Sequence, residues 1–282
     1  MTSRQQGRRA VVTGLGVVAP NGVGADAFWK ATRQGVSVLD RISREGCTDM
    51  PLKIAGEVRD FDPHSVIDSR FLVQTDRFTH YAMAAADLAV ADAGFRPDPE
   101  QPYAVGVVTA AGSGGGEFGQ RELQQLWGQG PRFVGPYQSI AWFYAASTGQ
   151  ISIRGGYKGP CGVVASDEAG GLDALGVPSA DRAEALALAD ALGPVAERVP
   201  VTAPKSGTGR AYCGAPVLDV TAAVLAMEDG VLPPTPNVTE VCHDLALVTG
   251  RARPAELRTA LVLSRGLMGS NSALVLRRGE RP

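Results

Sequence analysis

Short apolar runs alternate with amphipathic segments along most of the chain. The first run, 10–18, ends at a turn over 20–22 and precedes a predicted helix over 26–34 that Gly35 ends. A second helix is predicted over 76–93, because one phenylalanine and five alanines recur there at helical spacing on one face. Alanines on that face predict close packing against a neighbouring element.

Further elements continue the same alternation. Strands are predicted over 103–110, 150–154, 162–165, 200–203, 259–263 and 272–276, and helices over 168–175, 179–192 and 219–228. A helix capped by Ser139 is predicted to carry the aromatic residues 142–144 and to end near Gly149. The proline-rich segment 231–258 is predicted to be a long surface loop. Alternation of this kind favours a layered α/β protein.

Composition narrows the class of protein. The 282 residues correspond to about two structural units, and 27 basic against 29 acidic residues leave a net charge of −2. The chain has no long basic run, so nucleic acid is not an expected partner, and no apolar stretch of membrane-spanning length. Four cysteines without a CxxC pair and three histidines predict reduced thiols, no metal site and a cytoplasmic protein.

A glycine pattern near the N-terminus, Gly14-x-Gly16-x-x-Ala19, matches the dinucleotide-binding fingerprint. That mechanism requires a helix N-terminus directed at the pyrophosphate, and here the turn over 20–22 lies where the helix should begin. The pattern therefore favours a structural strand and turn, with a nucleotide-binding oxidoreductase as an alternative.

Two segments have candidate catalytic residues. Glu168 lies where a predicted strand enters a predicted helix, a position at which a cysteine would become a nucleophile. A carboxylate there should be ionised, and its acyl product would be a hydrolysable anhydride. The alternative is that Glu168 is an acidic residue in the first turn that only stabilises the helix. Lys205 lies in a glycine-bearing loop, where it could orient a carbonyl or phosphate or simply be solvated. The adjacent pair Cys242 and His243 is a weaker candidate, because adjacent side chains point apart on most backbones.

These residues together resemble the β-ketoacyl synthases of the thiolase superfamily. The resemblance is strongest to their non-condensing member in type II aromatic polyketide synthesis, the ketosynthase β subunit or chain-length factor. The matching stretches are 12–22, 72–76, 137–149, 150–154, 168–175, 201–210 and 260–278. The resemblance implies a thiolase-like layered αβαβα fold and no cofactor.

The resemblance also assigns the site positions. Glu168 replaces the nucleophilic cysteine of active synthases, where chain-length factors usually have glutamine. Lys205 matches the family's motif lysine, and Arg210 stands where active synthases have a histidine. A permanently charged guanidinium cannot act as a tunable imidazole. The resemblance therefore implies a subunit that lacks condensing activity of its own.

A steric role is implied for one helix. In the family, a helix of the β subunit lines the tunnel into which the polyketide grows, and Gly116, Gly119 and Leu123 match its tunnel positions. Two glycines remove bulk, so we expect a roomy tunnel and a comparatively long polyketide. The alternative is an ordinary glycine-rich loop.

The sequence departs from the family pattern after Leu175, which is followed directly by Gly176. A long segment intervenes there in the family, so residues 1–175 and 176–282 are expected to be two incomplete halves of a fold truncated in the middle. Loss of central strands would expose apolar surface, and exposing 400 Å² at ~25 cal/mol per Å² would cost on the order of 10 kcal/mol of folding free energy. Either the chain has an internal deletion or a partner covers the gap.

The expected function is a chain-length factor that pairs with a ketosynthase α subunit and shapes a polyketide delivered on an acyl carrier protein. An acyltransferase or malonyl decarboxylase acting through Glu168 and Lys205 is one alternative. A non-functional deleted fragment is another.

Overall fold

Eight helices and twelve short strands form the part of the chain that the computed structural model describes, which is residues 10–44, 46–47, 49–165, 178–239, 241, 245–265 and 271–279. The helices are α1 (Ala25–Gln34), α2 (Ser69–Leu72), α3 (Arg77–Asp92), α4 (Gly116–Gln129), α5 (Gln138–Ala141), α6 (Ala146–Gly155), α7 (Pro178–Leu192) and α8 (Ala215–Asp229). The strands are β1 (Val18–Ala19), β2 (Gly22–Val23), β3 (Leu39–Arg41), β4 (Ile54–Gly56), β5 (Val107–Ala110), β6 (Cys161–Val164), β7 (Pro200–Val201), β8 (Val231–Leu232), β9 (Ala246–Leu247), β10 (Arg253–Pro254), β11 (Thr259–Arg265) and β12 (Asn271–Arg277).

Helix ends account for several confirmed predictions. α1 and α8 end at Gly35 and Gly230, both in the left-handed conformation with φ of 67°. α3 begins after Asp76, whose side chain accepts the amide of Phe78. The helices predicted over 26–34, 76–93, 179–192 and 219–228 and the two C-terminal strands are therefore confirmed, with ends shifted by a few residues.

The first predicted strand is largely wrong. Residues 10–17 have no regular structure, and only Val18–Ala19 forms a strand, in a tight hairpin with Gly22–Val23. A strand needs a neighbour to satisfy its backbone groups, and within the described residues none pairs with 10–17. Val11 is consequently 75% exposed although its sequence environment is that of a buried strand.

The glycine pattern packs closely against α3. A Cβ on Gly16 would collide with the carbonyl oxygen of Ala85 and lie 2.6 Å from the amide nitrogen of Ala89. A Cβ on Gly14 would lie 2.6 Å from the amide nitrogen of Ala93. The alanine face of α3 therefore packs closely, as predicted, and the two glycines are accounted for by this contact.

The region of residues 138–155 corrects two predictions. Ser139 does not cap a helix through the aromatic residues, because α5 ends at Ala141 and a new helix, α6, begins at Ala146. Residues 150–154 are helical and not a strand. The alternation of polar and apolar residues there is local, whereas α6 packs against α3 and β5, and the hydroxyls of Thr109 and Thr148 lie 2.6 Å apart.

β5 and β6 form a parallel pair in which Val108 is opposite Gly162 and Ala110 is opposite Val164. The strand predicted over 103–110 is thus shorter than expected, because residues 102–104 form a turn of 3₁₀ helix. One face of this pair is uncovered within the described structure: Val108 is 73% exposed and Val164 56% exposed. Side chains of this type normally lie in a core.

The segment 231–258 is not a surface loop throughout. Pro233 and Pro234 are fully buried, and the hydroxyl of Thr202 donates to the carbonyl oxygen of Pro233 at 2.7 Å. The amide of Thr235 donates to Val248 O at 2.7 Å. Proline suits such a buried position because it has no backbone N–H that burial could leave without a hydrogen-bond partner. None of the described helices is long and apolar enough to cross a bilayer.

Candidate functional site

The sequence-predicted site residues fall into two described groups. Lys205 and Arg210 lie between β7 and α8, and Gly116, Gly119 and Leu123 lie on α4. Glu168 lies outside the described residues, as do the pair Cys242 and His243 and the helix predicted over 168–175. Within the described part of the chain, no group of histidine, cysteine, aspartate and glutamate side chains is arranged to hold a metal ion.

Lys205 forms a buried ion pair. Its Nζ lies 2.9 Å from Oδ2 of Asp219 on α8, and each side chain is only 10% exposed. The alternative of a solvated loop lysine is therefore wrong. The two charges neutralise each other in a shallow pocket lined also by Asn21, Phe28, Thr32 and Leu218, with room for about one water molecule.

Backbone hydrogen bonds hold the Lys205 loop in place. The amide of Ala203 donates to Thr235 Oγ1 at 3.0 Å, and Ser206 Oγ donates to Pro236 O at 2.8 Å. The amide of Val38 donates to Gly207 O at 2.8 Å. A Cβ on Gly207 would lie 2.8 Å from Val36 O, so glycine permits this close approach. The lysine is thus presented from a rigid turn.

Sequence reasoning missed Asp219. It was recognised only as the start of a predicted helix, whereas α8 begins four residues earlier, at Ala215. The available signal was its position: a carboxylate near the start of the helix that directly follows the lysine loop. Residue type and spacing alone do not show that the two side chains meet.

Arg210 is exposed, and its guanidinium carbon lies 5.0 Å from the ring centroid of Tyr212. Tyr212 has a φ of 46°, an unusual conformation for a residue other than glycine. A guanidinium over an aromatic face is a cation–π contact, and the group stays protonated at any physiological pH. It can supply charge and hydrogen bonds but not a proton.

The three tunnel candidates lie on one face of α4, because they are spaced three and four residues apart. A Cβ on Gly116 would meet nothing within 4 Å, and Leu123 is 50% exposed. Gly119 differs, because a Cβ there would lie 3.1 Å from Cδ1 of Trp142. The alternative of a glycine-rich loop is wrong for these residues, which form a regular helix with an open face.

Three hydrogen bonds to backbone groups hold the N-terminal half of α4 in place. Asp76 Oδ2 accepts the amide of Phe118 at 2.6 Å, and the amide of Gly115 donates to Trp142 O at 3.2 Å. The amide of Gly135 donates to a carboxylate oxygen of Glu122. Sequence reasoning placed Asp76 only at the start of α3 and missed its contact with α4.

His80 lies beside this junction. Its Nε2 is 3.1 Å from Thr75 Oγ1, and partial burial lowers the pKa of its imidazole below the ordinary 6.5. The Asp76 carboxylate opposes this effect and Arg77 adds to it.

Large apolar side chains are exposed next to α4. The most exposed are Trp127 (83%) on α4 and Trp142 (62%), the residue that follows α5. Phe133, Phe143 and Leu123 are also exposed. Clustered exposed aromatic residues are typical of interfaces with another protein.

Two protein-family models match most of the chain. The family model described as Beta-ketoacyl synthase, N-terminal domain, matches residues 7–179, which is more than half of the chain. The model described as Beta-ketoacyl synthase, C-terminal domain, matches residues 171–239. The chain belongs to the β-ketoacyl synthase family. Within this family, the chain is 51% identical over 407 aligned positions to a Streptomyces halstedii protein named polyketide beta-ketoacyl synthase 2, with 98% of each chain covered.

A second relative is more distant. The tetracenomycin polyketide synthase ketoacyl synthase beta subunit of Streptomyces glaucescens is 36% identical, covering 95% of this chain and 98% of its own. The resemblance to this family is thereby confirmed.

Solved structures show the same fold. The ishigamide ketosynthase/chain length factor matches with a TM-score of 0.77 at 20% identity, covering 96% of this chain and 99% of its own. A type II ketosynthase in complex with its acyl-carrier protein also has a TM-score of 0.77, at 18% identity, covering 96% of this chain and 100% of its own. The chain therefore has the mixed α/β fold of ketosynthases.

Proposed function

We propose that the chain is the ketosynthase β subunit, or chain-length factor, of a type II polyketide synthase that makes an aromatic polyketide. The observation that carries the proposal is the open face of α4, on which Gly116 leaves free space and Leu123 is exposed. The close relatives named polyketide beta-ketoacyl synthase 2 and ketoacyl synthase beta subunit support the same assignment.

The charged groups support a non-condensing role. Glu168 stands at the position of the nucleophile. An acyl chain attached to a carboxylate would be an anhydride, which hydrolyses and so cannot hold the chain as a cysteine thioester does. Lys205 is already paired with Asp219, and Arg210 cannot exchange a proton at physiological pH. The two positions at which the family's condensing members have a cysteine thiol and a histidine imidazole are thus occupied by a carboxylate and a guanidinium, and neither replaces the chemistry of the group it stands for.

The tunnel role follows from side-chain volume. Gly116 adds nothing to the open face of α4, and Leu123 lies two turns further along the same face. Gly119 sits under the Trp142 ring and cannot accept a larger side chain without displacing it. We infer a wide tunnel wall and a long polyketide, because only Leu123 contributes bulk among the three positions.

The proposed partner is a ketosynthase α subunit that packs on the aromatic patch beside α4. Trp127 and Trp142 are large side chains that are mostly exposed, and large exposed apolar side chains of this kind are typical of a surface that binds another protein. An acyl carrier protein would deliver the growing chain to that pair, in keeping with the ketosynthase structure that holds its acyl-carrier protein.

We also propose that an internal segment is missing after Leu175. Residues 1–175 and 176–282 are then two incomplete halves of the fold. The alignment to the Streptomyces halstedii relative spans 407 positions, 125 more than this chain has residues. The two domain models meet over 171–179, and the exposed Val108 and Val164 face is what loss of covering strands would leave.

The test is co-expression with a ketosynthase α subunit and its acyl carrier protein. We expect the two subunits to co-purify and to make polyketide together, while the isolated chain releases no carbon dioxide from malonyl carrier protein. Carbon dioxide release by the isolated chain that Glu168→Ala abolishes would instead support a decarboxylase. A non-cooperative melt and no co-purification would support a defunct fragment.

A further inference from the structure

Asp76 links two helices that come from distant parts of the sequence. Its Oδ1 accepts the amide of Phe78 at 3.4 Å in the first turn of α3, and its Oδ2 accepts the amide of Phe118 at 2.6 Å in the first turn of α4. The side chain is buried. One carboxylate thus satisfies free amides at two helix N-termini, where four N–H groups have no partner within the helix.

The contact with α4 is the shorter and is charge-assisted. A carboxylate that accepts a backbone N–H at a helix N-terminus also interacts favourably with the helix dipole. The surrounding packing is equally close, since a Cβ on Gly115 would lie 2.6 Å from the Asp76 Cβ. The N-cap residue of α3 therefore anchors the first turn of α4, together with the Gly115 amide that donates to Trp142 O at 3.2 Å.

We propose that Asp76 is the positioning residue for the tunnel helix: by anchoring the first turn of α4 to α3, it determines where Gly116 and Leu123 stand and so contributes to the chain length of the product. This inference rests on the proposed function. Asp76 is not a catalytic residue, because it contacts backbone amides and not the growing chain.

Two substitutions separate the two contacts. In Asp76→Ser, the serine hydroxyl can still cap α3. The serine side chain is shorter than that of aspartate by one atom, so it cannot also reach the Phe118 amide. Asp76→Asn keeps the side-chain length with a single acceptor oxygen, so it retains one contact at a time. Asp62→Ser is the matched control, because Asp62 caps a 3₁₀ turn through the amide of His64 at 3.0 Å and lies away from α4.

The first measurement is hydrogen exchange of the full chain at the first turn of α4. We expect the Phe118 amide to exchange about tenfold or more faster in Asp76→Ser, with the α8 amides unchanged, and a smaller effect in Asp76→Asn. Asp62→Ser should leave α4 unchanged. Unaltered exchange at Phe118 in both Asp76 variants would overturn the proposal, as would faster exchange throughout the chain in both, since that would indicate a general loss of stability.

The second measurement is the product length of the complex with its ketosynthase. We expect Asp76→Ser to broaden or shift the length distribution, whereas a merely structural residue would lower the yield at unchanged length. If Gly116→Phe shortens the product and Asp76→Ser does not, the positioning role is wrong and the proposed function stands. If neither changes the length, the tunnel itself is misassigned.

Discussion

Gly16 lies directly against the backbone of Ala85, so closely that a methyl group on Gly16 would collide with the Ala85 carbonyl oxygen. This contact explains why a dinucleotide-like glycine pattern occurs where a tight hairpin, and not a helix, directly follows it. The glycines permit the N-terminal segment to lie on the alanine face of α3, and the amide of Leu15 donates to Asp92 Oδ2 at 2.7 Å beside them.

Gly16→Ala should destabilise the protein. The added methyl has no space and forces the segment away from α3, which costs about 1–3 kcal/mol of unfolding free energy, as overpacking typically does. Gly128→Ala is the control, because a Cβ on Gly128 meets nothing within 4 Å, and alanine is the better helix former. Urea unfolding measures both. Equal stability of the two variants, or thermal protection of the wild type by a nicotinamide dinucleotide, would contradict the packing role.

Lys205→Ala should cost about 3–5 kcal/mol of unfolding free energy, because it leaves the Asp219 carboxylate buried without its cation. The double variant Lys205→Met with Asp219→Leu should recover most of that loss, since it removes both charges. Denaturant unfolding of this double variant and of the single variants Lys205→Met and Asp219→Leu completes a double-mutant cycle that measures the coupling. Additive losses would show that the ion pair contributes nothing as a pair.

His80 should make the protein less stable at acidic pH. Its folded-state pKa lies below 6.5, so as pH falls through 6.5 the unfolded chain takes up the proton first and the free energy of unfolding decreases. The decrease ends once pH falls below the folded-state pKa. His80→Gln, which cannot titrate, should lose this part of the pH dependence. If the free energy of unfolding depends on pH in the same way in wild type and variant, this effect of His80 is excluded.

The helices that were predicted correctly are those whose sequence signals lie within the helix or at its ends. α1 and α8 follow in part from a glycine at the C-terminal end, and α3 follows from the spacing of alanines on one face. The helix that contains Gly116, Gly119 and Leu123 was implied by the family resemblance and not by a local pattern, and the structure confirms that α4 is a helix.

The failed predictions concern elements that depend on distant neighbours. Residues 10–17 have the composition of a strand but lack a pairing strand in the described structure, and 150–154 alternate like a strand but pack as a helix against α3. The Lys205–Asp219 and Asp76–Phe118 contacts join positions 14 and 42 residues apart. No local pattern encodes such contacts, so the sequence placed the lysine but not its partner.

Product length is the most direct test of the account. A Cβ on Gly116 meets nothing within 4 Å, so Gly116→Phe adds a ring to the open face of α4. Gly128→Phe places the same ring on the same helix about 120° away from Gly116. Each variant would be co-expressed with the ketosynthase α subunit and the acyl carrier protein, and the polyketides would be sized by mass spectrometry. The account predicts a shorter polyketide from Gly116→Phe and an unchanged one from Gly128→Phe. Products of unchanged length from Gly116→Phe, made at normal yield, would contradict it.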